Sequence, residues 1–316
     1  MSRILAVAAA VVPVFLVAGA AYLVRRRCPL DVRTLSTLNL YLLIPCLVFS
    51  GLSRRVIEWG LFARYAGAMA AVTFAMLALL YGVSRLRKHE GAQRSAFLLT
   101  QFPNLGNYGL PVVLFGFGEA VLPLAIIILV CGSFLQNTMG IYLAQRSRHV
   151  FLGALKRVFL FPMIYAFCLA LVLQRVGWRP PTGLEETGVF NSALLTVMRA
   201  VDLLADAAIP VQLMLLGAKL AETRLDTGAD VFIACALRLA IAPVLALAAA
   251  WGVGLQGIET SVFVLQVSAP TAVGMAAFGV QFEVKPVFLA SAVSWSFLFS
   301  MITVPLLLYL LLQFGG

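Results

Sequence analysis

Long apolar blocks, each closed by a short polar or basic stretch, cover almost the whole chain. A helix that crosses a bilayer needs about 20 mostly apolar residues, because lipid satisfies no backbone hydrogen bond. Blocks of that length lie near 4–24, 34–53, 61–83, 93–117, 120–144, 152–174, 203–221, 230–252, 259–281 and 287–312. The pattern predicts an all-α polytopic membrane protein with ten transmembrane helices. The seventh block is the least clean, since Asp202 and Asp206 fall at its start. Ala18-Gly19-Ala20 imitates a signal-peptidase site, but the first block is too long for an ordinary signal-peptide core and reads as the first span.

Two blocks are apolar enough to span yet carry helix breakers at their centres. The charge-free run 95–118 contains Pro103-Asn104-Leu105-Gly106-Asn107-Tyr108-Gly109-Leu110-Pro111. Proline removes a backbone donor and glycine weakens a helix interior. The run 260–282 repeats the feature at Ser268-Ala269-Pro270-Thr271 and Gly274. Backbone freed at membrane depth is tolerated only where protein buries it or a watery cavity takes it up. A pair of interrupted helices in matching halves points to a transporter's binding site.

The halves match elsewhere too. Pro13 answers Pro162, Ile44-Pro45 answers Ile209-Pro210, and Ser133-Phe134-Leu135 answers Ser296-Phe297-Leu298. The expected organisation is a first five-helix repeat over 1–147, broken at Pro103, and a second over 148–316, broken at Pro270. A five-span repeat is odd-numbered, so its second copy inserts upside down, and inverted copies place their site at the midplane between them.

Composition agrees with this picture. Of 316 residues 62% are hydrophobic and 11% charged, more apolar side chain than a soluble domain could hide. The net charge of +10 does not mark a nucleic-acid binder, because no basic cluster belongs to a soluble segment large enough to fold. With both termini outside, fifteen Lys and Arg fall in inner loops and seven on the outer side. That asymmetry favours this orientation in a cell membrane. The five cysteines are scattered and read as small apolar fillers, and His89 and His149 lie among arginines in polar loops. No metal site, cofactor or histidine base is expected.

Each break starts a new half-helix whose first N–H groups lack intrahelical partners and carry partial positive charge. Two such starts, after Pro103 and after Pro270, suit a carboxylate. Asn104 and Asn107 add adaptable amides, and Thr271 adds a hydroxyl. The bland alternative is that both asparagines only satisfy freed backbone. The half-helices that end at the breaks offer carbonyls, which suit a positive group. Gln266, one turn before Pro270, either contacts substrate or joins the two interrupted helices. Gln136 and Asn137 either face the breaks or pack between helices.

Charges within the spans narrow the chemistry. Asp206 lies four residues before Pro210, about 6 Å along a helix, and an acid near mid-bilayer reads as functional. It carries a proton or pairs with Arg199 or Arg238. Asp202 is expected to pair with Arg199 at the interface. Arg238, inside the eighth span, counters a substrate carboxylate or an internal acid, or snorkels inward.

Pro103-Asn104, Gly109-Leu110-Pro111, Leu204-Ala205-Asp206-Ala207, Leu237-Arg238 with Pro243, and Gln266 ahead of Pro270 resemble the auxin efflux carrier family. That family includes the plant PIN-FORMED exporters and bacterial organic-acid carriers. The resemblance spans nearly the whole chain and implies a fold similar to bile-acid/sodium symporters, with the two broken helices crossing. It also implies a mobile unit around the crossing and a homodimer through a scaffold of spans one, two, six and seven. The chain lacks the long loop of the plant proteins between spans five and six. Pro103, Asn104, Asn107, Tyr108, Gln266, Pro270 and Thr271 are the expected substrate-binding residues, with Asp206 and Arg238 in ion coupling or charge pairing. The expected partners are a small organic anion, the lipid bilayer and a second copy of the chain. A sodium-coupled uptake carrier is the alternative. A channel does not need paired broken helices, and an intramembrane enzyme needs facing acids that Asp202 and Asp206, on one helix face, do not supply. No ATP-binding loop occurs, so gradients must drive transport.

Overall fold

The computed structural model describes residues 3–54, 58–145, 161–180, 189–223 and 225–314. The described chain is all helical: α1 (Arg3–Arg27), α2 (Val32–Ser53), α3 (Trp59–Leu86), α4 (Gly91–Leu99), α5 (Leu105–Phe117), α6 (Glu119–Gln145), α7 (Pro162–Arg175), α8 (Val189–Ala221), α9 (Ala229–Gly252), α10 (Gly257–Val267), α11 (Val273–Gln281) and α12 (Pro286–Phe314). Seven of these are long and apolar enough to cross a membrane, and α5, α7 and α10 are shorter apolar helices. The seventh block starts earlier than the pattern predicts, because α8 continues upstream to Val189. Much of the sixth block, including residues 152–160, lies outside the described residues.

Three helices contain a widened π turn: Asn39–Leu43 in α2, Leu105–Gly109 at the start of α5, and Leu237–Ile241 in α9. Each is followed after one residue by a proline, Pro45, Pro111 or Pro243. The cause is local. Proline has no N–H to give the carbonyl four residues back and its ring crowds that carbonyl, so the turn before it loosens. Such bulges re-aim side chains and occur often at functional sites.

Polar contacts tie the helix ends together outside the apolar core. Asp31 caps α2, accepting from the backbone N–H groups of Arg33 at 3.0 Å and Thr34 at 3.3 Å. Asp230, in the first turn of α9, pairs with Arg87 and with His89 Nε2, each at 2.9 Å. The expected Asp202–Arg199 pair does not form. Asp202 instead takes hydrogen bonds from Ser50 at 2.6 Å and from Arg54, both on the α2 side. The arginine one turn away on its own helix lost to a neighbouring helix that points two donors at the carboxylate.

Long packing runs along α1 and α8, and α2 lies along α7. Gly217 of α8 permits the closest approach, since a Cβ there would collide with the Ala18 carbonyl of α1.

Candidate functional site

The fourth and ninth blocks are both interrupted, at residues 100–104 and 268–272. The two gaps meet. Asn104 N–H donates to the Pro270 carbonyl at 2.8 Å, and Ala272 N–H donates to the Phe102 carbonyl at 2.8 Å. Pro103 and Thr271 thus form a short antiparallel bridge at the centre of the molecule. Backbone groups that proline and the helix ends release are recovered across the gap.

Beyond the bridge the chain restarts as α5 and α11, and no side chain caps either start. Leu105 N–H donates to the Pro103 carbonyl and Met275 N–H to the Ala272 carbonyl, each at 2.9 Å; a helix start leaves its other first-turn N–H groups without intrahelical acceptors. Each start carries a glycine two residues in, and each glycine is approached by a glutamine amide. A Cβ on Gly106 would lie 3.3 Å from Gln212 Oε1, and a Cβ on Gly274 would lie 3.3 Å from Gln136 Nε2. A side chain at either position would make the glutamine shift by a few tenths of an ångström.

Buried polar atoms around the first break lack partners. Gln101 Nε2, Asn104 Nδ2 and both amide atoms of Gln212 are buried without a hydrogen bond. Gln212 is wholly buried and belongs to α8, on the far side of the α5 start. An unpaired buried amide is costly, so these groups, two beside the break in sequence and one against the α5 start, mark a region suited to accept something polar.

A family model described as membrane transport protein matches residues 6–152 and 144–308. The chain belongs to this membrane transport protein family. This is the auxin efflux carrier family that the sequence resembles. An "Uncharacterized transporter" of Methanothermobacter thermautotrophicus is 24% identical over 287 residues, covering 87% of this chain and 88% of its own. A second "Uncharacterized transporter", from Methanocaldococcus jannaschii, is 25% identical over 242 residues, 75% of each chain. A Rhizobium meliloti protein named "Putative malonate transporter" is 26% identical over 288 residues, covering 88% of this chain and 86% of its own. The chain is therefore an integral, multi-pass membrane protein of transporter type.

Within this family member, the structure gathers most expected site residues at the breaks, Arg238 among them, and leaves Asp206 apart. Pro103, Asn104, Pro270 and Thr271 form the bridge itself, and Asn107 is half-buried in the π turn after it. Tyr108 is buried with its ring edge-on to Phe297, at 6.0 Å between centroids. The Thr271 hydroxyl donates to the Thr100 carbonyl at 2.9 Å, and its N–H donates to Ser296 Oγ at 3.0 Å. Gln266 Nε2 donates to the carbonyls of Leu105 at 3.2 Å and Ala125 at 3.0 Å, so this amide ties α10 to α5 and α6.

Arg238 and Asp206 do not pair. The Arg238 guanidinium is buried and donates to three backbone carbonyls: Gln101 at 3.0 Å, Ala269 at 3.0 Å, and Val267. It neither snorkels nor meets an acid among the described residues. Asp206 is exposed on α8, with no ion pair among the described residues. Helical phase explains the separation: Gln212 and Lys219 point one face of α8 inward, and Asp206 falls on another.

A cleft of about 410 Å³ runs between the end of α8 and helices α11 and α12. Lys219, Val273, Ala276 and Val293 line it, so it reaches the first residue of α11. Neither Lys219 nor Gln212 stands out in the apolar pattern of the seventh block. Their spacing of seven on a helix was the available signal, because it places both on one face.

Proposed function

We propose that this protein is a secondary carrier of small organic anions of the carboxylate class, working by alternating access. The observation that carries the reading is the set of unpartnered buried amides on either side of the uncapped start of α5: Gln101 and Asn104 just before it in the chain, and Gln212 against Gly106. A carboxylate takes hydrogen bonds from helix-start N–H groups and from amide donors, and it favours the positive end of the helix dipole. Asn104, Asn107 and the Pro103 turn bind the anion in this reading. Tyr108, Gln266, Pro270 and Thr271 shape the site from behind.

The proposed architecture is ten spans in two inverted five-helix repeats, 1–147 and 148–316, with the two interrupted spans crossing at the bridge. Supporting it are the repeated glycine–glutamine approach at α5 and α11 and the reciprocal hydrogen bonds between the breaks. The scaffold is α1, α2, α7 and α8, which also supply the surface for a homodimer. The breaks, fixed to one another, slide against α8 as one body. In this reading both termini are outside, the cleft beside Lys219 faces the internal side, and the arrangement is the inward-open one; the cleft reaching Val273 supports it. Lys219 draws anions into it. Asp206 is the proposed proton-coupling residue. The name of the Rhizobium meliloti relative makes short dicarboxylates the first substrates to try.

Flux into proteoliposomes should be measured with a panel of labelled mono- and dicarboxylates, with proton and sodium gradients set separately. The proposal expects saturable, counterflow-competent uptake of at least one acid, and loss of gradient-driven flux in Asp206→Asn. Uptake of neutral or cationic solutes alone would reject the anion reading.

A further inference from the structure

Arg238 is the most buried charge in the described chain, and no carboxylate among the described residues approaches it. Its partners are backbone carbonyls at two helix ends. Gln101 lies just past the end of α4, and Val267 and Ala269 lie at and just past the end of α10. These are the two half-helices that run into the breaks. Each helix end carries about half a negative charge on carbonyls without intrahelical partners. Two such ends converge on one point, and the guanidinium fills it.

The side chain is suited to this place for physical reasons. Its planar fork offers five donors fixed in direction and stays charged in any ordinary environment. Nε donates to Ala269, Nη1 to Gln101, and Nη2 to Val267, so one group serves both breaks. The π turn Leu237–Ile241, set by Pro243, is what delivers it from α9. In carriers with interrupted helices, half-helix ends and unwound carbonyls are also where a coupling sodium ion is held. Here that electrostatic position already holds a charge attached to the protein.

We propose that Arg238 acts as a tethered cation in place of a bound coupling ion. The inference rests on the carrier reading above and specifies its coupling: no inorganic monovalent cation is needed for transport. Arg238 is a positioning residue. It fixes the ends of α4 and α10 against each other, and through them the bridge at Pro103 and Thr271. Removing it leaves a carbonyl-lined vacancy that demands positive charge.

The test has two arms. In the first, wild-type protein is assayed with sodium and potassium replaced by N-methylglucamine, reading flux and melting temperature. Both should be unchanged; a saturable sodium dependence of either overturns the proposal. In the second, purified Arg238→Ala is melted with millimolar guanidinium, with sodium, and with urea, a neutral molecule of nearly the same shape. Guanidinium should raise the melting temperature of the variant by several degrees and leave wild type unaffected, since a ligand that binds only the folded state stabilises it. Equal stabilisation by urea, or none by either, means that positive charge is not required and rejects the idea. Arg238→Met, of similar bulk, should fold but transport severalfold more slowly. Wild-type flux in Arg238→Met also rejects it. If Arg238→Ala does not fold, the first arm decides on wild type alone. Melting needs no substrate, so a carrier of some other solute would fail the flux panel and still pass here.

Discussion

The two breaks are built alike and finished differently. At the second, residues 268–272, the polar groups are spent inside the protein: Ser268 Oγ donates to Val264, the Thr271 hydroxyl to Thr100, and Thr271 N–H to Ser296. At the first, residues 100–104, the Thr100 hydroxyl donates to the Phe97 carbonyl but the two amide side chains do not close their bonding. Gln101 and Asn104 keep unpartnered buried amide nitrogens, and Gln212 faces the following turn with neither of its amide atoms bonded. Their flanking glutamines differ in the same sense, since Gln212 is wholly buried and Gln136 only half-buried. In the proposed reading one break is a structural joint and the other is the receptor surface. Paired interruptions need not share the work of binding equally.

This contrast can be broken most forcefully at Thr271. Thr271→Val removes the donor to the buried Thr100 carbonyl and should destabilise the fold by about 1–3 kcal/mol, the cost of an unsatisfied buried group. Substrate affinity should change little. Thermal melting with parallel binding titrations checks both, and a large affinity loss at unchanged melting temperature would assign binding to the second break.

Gln212→Leu sharpens the comparison by reversing the sign. Leucine removes two buried atoms that have no partners, so the variant should melt higher than wild type, by an amount worth about 1 kcal/mol. The same change should weaken carboxylate binding. Higher stability together with lower affinity is the signature of a group held unsatisfied for a ligand. A lower melting temperature would mean that Gln212 is satisfied and structural.

The smallest effect lies far from both breaks and serves as a control. The Thr34 hydroxyl and then the Thr34 backbone N–H hold the Asp31 carboxyl below its ordinary value of 3.8. A depressed folded-state value stabilises above the unfolded value and loses that contribution as pH falls through the folded one. Asp31→Asn keeps a capping side chain but cannot titrate. It should flatten the stability profile slightly below about pH 4 while leaving substrate binding unchanged at all pH values.

The placement of the breaks was legible in the chain because proline and glycine act locally. The π turns were half legible: Pro45, Pro111 and Pro243 were visible, but the widened turns before them follow only once a helix is known to continue through the proline. What stayed hidden was direction. Arg238 looked like a partner for an acid or a substrate, since nothing in a linear pattern says that two carbonyl-bearing helix ends converge on it. Asp206 stood out as an acid in an apolar block, yet the phase of α8 turns it outward and turns Gln212, an unremarked amide, toward the break. Asp202 reached Ser50 and Arg54 on another helix, a contact that depends on packing rather than spacing.

The most direct test of the claim that the first break is the receptor is equilibrium binding of a labelled carboxylate, found in the flux panel, to wild type and Asn104→Ala. A hydrogen bond to a charged group is worth about 1.5–3 kcal/mol, so affinity should fall by about 10-fold to 150-fold. The ligand-free melting temperature should stay near that of wild type, because the Asn104 amide nitrogen has no partner to lose. Unchanged affinity with a lowered melting temperature would show that Asn104 merely holds the break together, and would contradict the account.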